Sequence, residues 1–109
     1  MDKTVKYQQI ISDLLDEYAG VKKTLRPQVR AYAIKDPDTQ QYQLLSLGWQ
    51  NERRVFTVAL HFSIEEGAIW IQENNTDVLI ADELIERGVA PEDIVLGFIP
   101  QSKRHLVKP

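Results

Sequence analysis

Apolar residues near the start of the chain recur at intervals of three and four positions. This spacing places them on one side of a helix, while the acidic residues fall mostly on the other side. The pattern predicts an amphipathic helix over about residues 3–18, ended by Gly20, because glycine tolerates the left-handed conformation that closes helices. The predicted apolar stripe consists of Tyr7, Ile10, Ile11, Leu14, Leu15 and Tyr18.

Over residues 28–73 the apolar period shortens to two, which is typical of β-strands with one buried face. Short turns separate the runs, and connections this short make neighbouring strands antiparallel. The sequence therefore predicts a four-stranded antiparallel meander. Its strands cover residues 29–34, 42–49, 54–64 and 69–72, and its turns lie at residues 36–39, 51–52 and 65–67.

The register of the hairpins decides which side chains share a face, because a shift of one residue exchanges the two faces. A two-residue reversal at positions 51–52 places Leu47 opposite Phe56 and Leu45 opposite Val58. In the third strand apolar residues alternate without a polar interruption, so we expect them to form the core face. These residues are Phe56, Val58, Leu60, Phe62 and Ile64.

The turn after the third strand admits two registers. A two-residue reversal at Glu66-Gly67 continues the core face with Ile69 and Ile71. A three-residue loop with Gly67 in a bulge places Trp70 on that face instead. We expect the two isoleucines.

Helical signals return in the last third of the chain. Asn75, Thr76 and Asp77 are of the types that cap helices, so the sequence predicts a helix to about residue 87, closed by Gly88. Pro91 indicates a second short helix, because proline is well tolerated in the first turn. The side chains expected to face inward on the first of these helices are Val78, Ala81, Leu84 and Ile85. The expected fold class is α+β: one domain, residues 1–109, with a four-stranded antiparallel meander, an N-terminal helix and two C-terminal helices.

Composition narrows the classes of function. The chain has 109 residues, 43% of them apolar, which suits one core. It has no cysteine, so disulfides and thiolate metal sites are excluded, and no apolar run resembles a signal peptide or a membrane span. We therefore expect a cytoplasmic protein. The net charge of −3 and the scattered basic residues disfavour direct DNA binding, which normally uses clustered cations.

Catalytic and metal-binding motifs are missing from the sequence. His61 and His105 are the only histidines, and His61 lies within a predicted strand among apolar neighbours, as structural histidines do. No serine follows a Gly-x-Ser-x-Gly pattern, and the glycines form no phosphate-binding loop. We expect no catalytic residue, cofactor, metal or small-molecule substrate.

The second face of the predicted sheet is too apolar to be fully solvated. Either the helices cover both faces, or part of this face binds a partner, as exposed apolar patches commonly do. The alternation assigns to it Tyr32, Ile34, Leu44, Ser46, Thr57, Ala59, His61 and Trp70. The candidate protein interface comprises Tyr32, Leu44, Ser46, Ala59 and Trp70.

Several strings of residues, in order along nearly the whole chain, carry a resemblance to a known family. The most specific are Ile69-Trp70-Ile71-Gln72 and Asp93-Ile94-Val95-Leu96-Gly97-Phe98, and Ile80-Ala81-Asp82-Glu83-Leu84 adds to them. In these strings the chain resembles the XisI family, the fdxN element excision controlling factors of filamentous cyanobacteria. It departs from the family pattern at Ile99, where members usually carry histidine.

The resemblance implies an accessory role in programmed DNA rearrangement during heterocyst differentiation. In that setting a separate serine-type recombinase cuts the DNA, and XisI-like proteins are typically encoded beside a XisH-type partner that resembles restriction-endonuclease-fold proteins. The leading hypothesis is thus a non-enzymatic factor that controls site-specific excision by binding a XisH-like protein, with DNA contacted only indirectly or weakly. The alternative is an inhibitor or antitoxin-like partner of a nuclease-fold XisH-like protein, and a direct DNA-binding factor comes third. A second copy of the chain is the other partner considered.

Overall fold

Helix α1, Lys3–Gly20, forms where the apolar stripe predicts it. The computed structural model describes residues 3–20 and 28–107 of the chain. The elements that follow are β1, Val29–Asp36; β2, Gln41–Gln50; β3, Arg53–Glu65; β4, Ala68–Asn74; α2, Ile80–Glu86; and β5, Ile94–Leu96. In the described parts, neither α-helix is long and apolar enough to cross a bilayer. The architecture is α+β, which confirms the predicted class.

Strands β1 to β4 form the antiparallel meander that the alternation predicts. The reversal between β2 and β3 takes two residues, and Asn51 adopts a left-handed backbone with φ 59°. Leu47 lies opposite Phe56 and Leu45 lies opposite Val58, so the predicted pairing is confirmed.

The turn between β3 and β4 adopts the first of the two registers considered. Glu66 and Gly67 have φ values of 51° and 78°, the positive values that a type I′ hairpin turn requires at both central residues. Ile69 and Ile71 are consequently buried in the core, as expected, and Trp70 points to the other side of the sheet.

A β-bulge in β3 changes the side of the sheet on which its residues lie. The consecutive β2 residues Leu44 and Leu45 pair with Leu60 and Val58, so Ala59 is an extra residue without an opposite partner. Because side chains alternate along a strand, the extra residue exchanges the faces on its two sides. We call the side that carries Leu60 the inner face and the opposite side the outer face.

The bulge corrects the predicted core. Leu60, Phe62 and Ile64 are buried on the inner face, as expected. Phe56 is 65% exposed, and both it and Val58 lie on the outer face. The prediction that all five residues form one core seam is therefore wrong for the part of β3 that precedes the bulge.

The sheet has a fifth strand, so the predicted four-stranded antiparallel sheet is incomplete. Pro91 opens only a 3-10 turn, Pro91–Asp93, and not the short helix that its position suggested. The next residues form β5, which pairs in parallel with β4 and brings Ile94 beside Ile69. A parallel neighbour requires a crossover connection, and α2 lies within it.

Helix α2 begins later than its predicted caps. Asn74 Oδ1 accepts hydrogen bonds from the backbone N–H and hydroxyl of Thr76, and Thr76 Oγ1 accepts one from the N–H of Val78. These bonds close a turn before the helix, which starts at Ile80 with no side-chain cap. The predicted stop at Gly88, with φ 109°, is confirmed.

Helix α1 covers the inner face and is tied at both ends to the C-terminal third of the chain. Tyr7 Oη donates to the Asp93 carboxylate at 2.6 Å, and this hydrogen bond is the main cause that lowers the pKa of Asp93. At the other end, Tyr18 Oη donates to Glu83, which also accepts from Arg87 at 3.0 Å. Burial, followed by the bond to Glu83, raises the pKa of Tyr18 to about 12.

A pair of phenylalanine substitutions tests the exchange of faces at the bulge. Phe62 is fully buried, so we expect Phe62→Ala to lower the free energy of unfolding by about 3–5 kcal/mol, because it leaves a cavity. Phe56→Ala removes the same ring from an exposed position and should cost no more than about 0.5 kcal/mol. Urea denaturation measures both, and equal losses would contradict the bulge.

Candidate protein-binding face

The outer face of the sheet carries no α-helix in the described part of the chain, since α1 and α2 both pack against the inner face. Residues that lie opposite one another in neighbouring strands share a face, so the register defines its members. They are Arg30, Tyr32, Ile34 and Asp36 of β1; Gln41, Gln43, Leu45, Leu47 and Trp49 of β2; Arg54, Phe56, Val58, His61, Ser63 and Glu65 of β3; Ala68, Trp70 and Glu73 of β4; and Val95 of β5.

One half of the outer face is an exposed apolar patch. Tyr32, Leu45 and Val58 form one row across three strands, and Leu47 and Phe56 form the next row. Phe56 is 65% exposed and Tyr32 is 44% exposed, although both have large apolar surfaces. Neighbouring exposed apolar residues of this kind usually mark a surface that binds a partner.

Arginines lie among the apolar residues of this patch. The Arg54 guanidinium lies 5.1 Å from the centre of the Trp49 ring, within cation–π range. Arg30 is exposed at the end of the row that holds Leu47 and Phe56. The patch therefore suits a partner surface that combines apolar side chains with carboxylates.

The other half of the outer face is polar and is organised around His61. Nδ1 of His61 lies 2.9 Å from Gln43 Oε1, and Nε2 lies 2.8 Å from Gln41 Oε1, which also accepts a 2.7 Å hydrogen bond from Ser63 Oγ. Burial lowers the pKa of His61, and the neutral ring that this favours has a single N–H. Both contacts are to amide oxygens, so the neutral ring donates to only one of the two glutamines. Since Ser63 donates to Gln41 and not to His61, this cluster does not form a nucleophile–base pair.

The structure separates the five residues predicted for the interface. Tyr32 lies exposed on the outer face. Leu44 and Ala59 are buried on the inner face, and Ser46 lies on that face too, opposite Ala31. The prediction that they share a face with Tyr32 fails because Tyr32 lies opposite Leu45 and Ala33 lies opposite Leu44, so the register of β1 with β2 puts Leu44 and Ser46 on the other face.

Trp70 lies on the outer face but is partly covered by the C-terminal 3-10 helix, Gln101–Leu106. The Arg104 guanidinium lies 4.9 Å from the centre of the Trp70 ring, and its Nε donates to the Leu96 carbonyl at 3.2 Å. Trp70 lies opposite Ser63 in the polar half, so the row that holds Gln43 and His61 separates it from the exposed patch.

Sequence reasoning assigned the central residues of the patch, Leu45, Leu47 and Phe56, to the core. The available signal was a pair of adjacent apolar residues in each strand, Leu44-Leu45 and Ala59-Leu60, where a strict alternation would have one polar member. Such pairs mark the position at which a strand can change faces.

Metal chemistry has no support in the described residues, among which no group of three or more His, Cys, Asp or Glu side chains could hold an ion.

The stability of the protein should depend on the protonation of His61. Because its pKa is lowered in the folded state, the unfolded chain binds the proton first as the pH falls below about 6.5, and stability is lost. Between about pH 7.5 and about pH 5.5, we expect the native chain to lose more free energy of unfolding than His61→Gln, which cannot titrate. Urea denaturation at both pH values measures the difference, and identical losses would contradict the lowered pKa.

The comparisons with known proteins agree on one family. The family model described as XisI protein matches residues 1–108. A XisI-like protein from Anabaena variabilis ATCC 29413 has a similar structure, with a TM-score of 0.86 and 38% sequence identity over 95% of this chain and 94% of that one. The fdxN element excision controlling factor XisI from the same organism has a TM-score of 0.78 and 35% identity over 97% and 96% of the two chains. A search of curated proteins finds no match. This chain therefore belongs to the XisI family.

Proposed function

We propose that the chain is a non-enzymatic accessory factor in the control of site-specific DNA excision, and that it acts by binding a XisH-like protein. Family membership supports the role in excision control, since a related structure is that of an fdxN element excision controlling factor. Heterocyst differentiation is the setting in which the resemblance to this family places such a role.

The observation that carries the binding mechanism is the exposed apolar patch on the outer face. Aromatic side chains that are ordered by a rigid sheet lose little entropy on binding, and such residues commonly supply most of the energy of an interface. Phe56 and Tyr32 occupy adjacent rows of the patch and are the anchors that we assign to it.

The charges around the patch indicate how a partner is oriented. Arg30 and Arg54 stand among the apolar residues, so a partner with carboxylates around an apolar centre gains both contact area and charge complementarity. A XisH-like protein with such a surface would be held by the apolar contacts and aligned by the charges.

Three alanine variants test this mechanism. We expect Phe56→Ala and Tyr32→Ala each to weaken binding to the XisH-like protein of the same host by about 2 kcal/mol, or roughly 30-fold in Kd. Phe98→Ala is the matched control, because Phe98 is 51% exposed but lies beside Leu79 and Ile80 at the start of α2. Isothermal titration calorimetry measures the affinities, and circular dichroism checks that each variant is folded.

Two results would overturn the mechanism. One is a Phe98→Ala protein that loses as much affinity as the other two variants. The other is a native chain that does not bind the XisH-like protein at all. Where binding occurs, a nuclease assay of the XisH-like protein with and without this chain distinguishes a positive controlling factor from an inhibitor of antitoxin type.

The protein alone should bind DNA weakly and should not cut it. Its net charge is −3, so phosphate contacts give it little affinity that survives salt. We expect no footprint on DNA at about 200 mM salt, where contacts limited to phosphates are largely lost. A salt-resistant footprint at a defined sequence would instead indicate a direct DNA-binding factor.

A further inference from the structure

We propose that two copies of the chain pair through the free edge of β1, in antiparallel orientation and centred on Ala33. The two five-stranded sheets would then form one continuous sheet around a two-fold axis. This inference rests on the edge of the sheet and does not depend on the identity of any XisH-like partner.

Strand β1 lies at the end of the strand order, and no described strand pairs with its outer edge. The Trp49 N–H donates to the Gln28 carbonyl at 3.1 Å. Every second residue of β1, counted from Gln28, therefore directs its backbone N–H and C=O groups to β2. The backbone groups of Ala31, Ala33 and Lys35 consequently point away from β2. They form a row of donors and acceptors that no described residue pairs with.

This edge has no bulge, no proline and no free lysine that would prevent pairing. Its register with β2 runs unbroken from Val29 to Asp36, with no bulge and no proline within the strand. A lysine commonly blunts such edges, but Lys35 is held over the inner face, where its Nζ lies 2.7 Å from Asp16 and 2.8 Å from Ser12. The edge is therefore regular and suited to pairing.

The side chains of β1 complement themselves in one register. With Ala33 opposite Ala33 of the second copy, Arg30 lies opposite Asp36 and Tyr32 lies opposite Ile34, and the symmetry repeats each pair. All four side chains are exposed on the outer side of the strand. A register centred on Tyr32 sets Arg30 against Ile34 and loses the charge pairs.

Charge substitutions test the assembly by analytical ultracentrifugation of the full chain. The native chain should dimerise reversibly, and Arg30→Glu should weaken the dimer at least about tenfold, because each change acts twice at a symmetric interface. Arg30→Lys keeps the charge and should retain association, whereas Asp36 is left unchanged because its carboxylate also accepts hydrogen bonds from Thr39 in the turn after β1. Arg54→Glu is the matched control, since it makes the same charge change on β3, away from the edge.

Single cysteines test the register, because the chain has no native cysteine. Tyr32→Cys and Ile34→Cys change exposed side chains and should leave the fold intact. Mixed together under mild oxidation, the two variants should form a disulfide-linked heterodimer. Tyr32→Cys alone should form at most a small fraction of linked dimer, since two Tyr32 positions are not opposite each other in the proposed register.

Three results would overturn the proposal. The first is a native chain that stays monomeric up to the highest concentration reached. The second is a dimer that Phe56→Ala disrupts and Arg30→Glu does not, which would assign self-association to the outer face. The third is efficient linkage of Tyr32→Cys to itself, which would exclude the register centred on Ala33.

Discussion

The β-bulge at Ala59 determines which residues of β3 lie on the inner face of the sheet and which lie on the outer face. After the bulge, β3 contributes Leu60 and Phe62 to the core under α1. Before it, the same strand directs Phe56 and Val58 away from the helices. Without the bulge, the apolar residues of β3 would all lie on the inner face, and the outer face would lose the centre of its patch.

Both α-helices contribute their buried side chains to the core on the inner face, so neither covers the outer face. Helix α2 has seven residues, and α1 alone spans the inner face from β1 to β3. Hydrogen bonds from Tyr7 and Tyr18 hold α1 against the C-terminal third. The bond from Tyr7 lowers the pKa of Asp93, while burial and then the bond to Glu83 raise the pKa of Tyr18. Of the two alternatives that the sequence left open, cover of both faces by α-helices is not seen in the described residues, where the 3-10 helix that holds Arg104 lies over Trp70 on the outer face.

The parts of the fold that follow from local patterns were predictable. The stripe of α1, the two-residue turn at Glu66-Gly67 and the stop at Gly88 each depend on residues close together in sequence, and each is confirmed. Strand β5 was not predictable in this way, since three residues after a proline turn become a strand only because β4 offers a partner. The bulge could not be predicted for the same reason, because an extra residue is recognised only from the pairing of the residues on both sides of it.

Strand pairing also explains why the five residues predicted for the interface do not all share a face. The register of β1 with β2 sets Tyr32 opposite Leu45, so Leu44 and Ser46 lie on the other face, and the bulge exchanges the faces of β3, so Ala59 and His61 do not share a side. Arg104 partly covers Trp70, and the two residues are far apart in the sequence. No local sequence pattern could therefore predict this contact.

An edge and a face recognise partners by different means, and Tyr32 lies where the two meet. A sheet edge binds through backbone hydrogen bonds and needs only an extended strand, whereas a face binds through side chains and is more selective. Tyr32 directs its backbone to β2 and its side chain to the outer face, so it lies on the boundary of the patch nearest the free edge. Pairing two copies at that edge would bring their patches onto one side of a single surface. A partner with two matching sites would then bind with an avidity that neither patch provides alone.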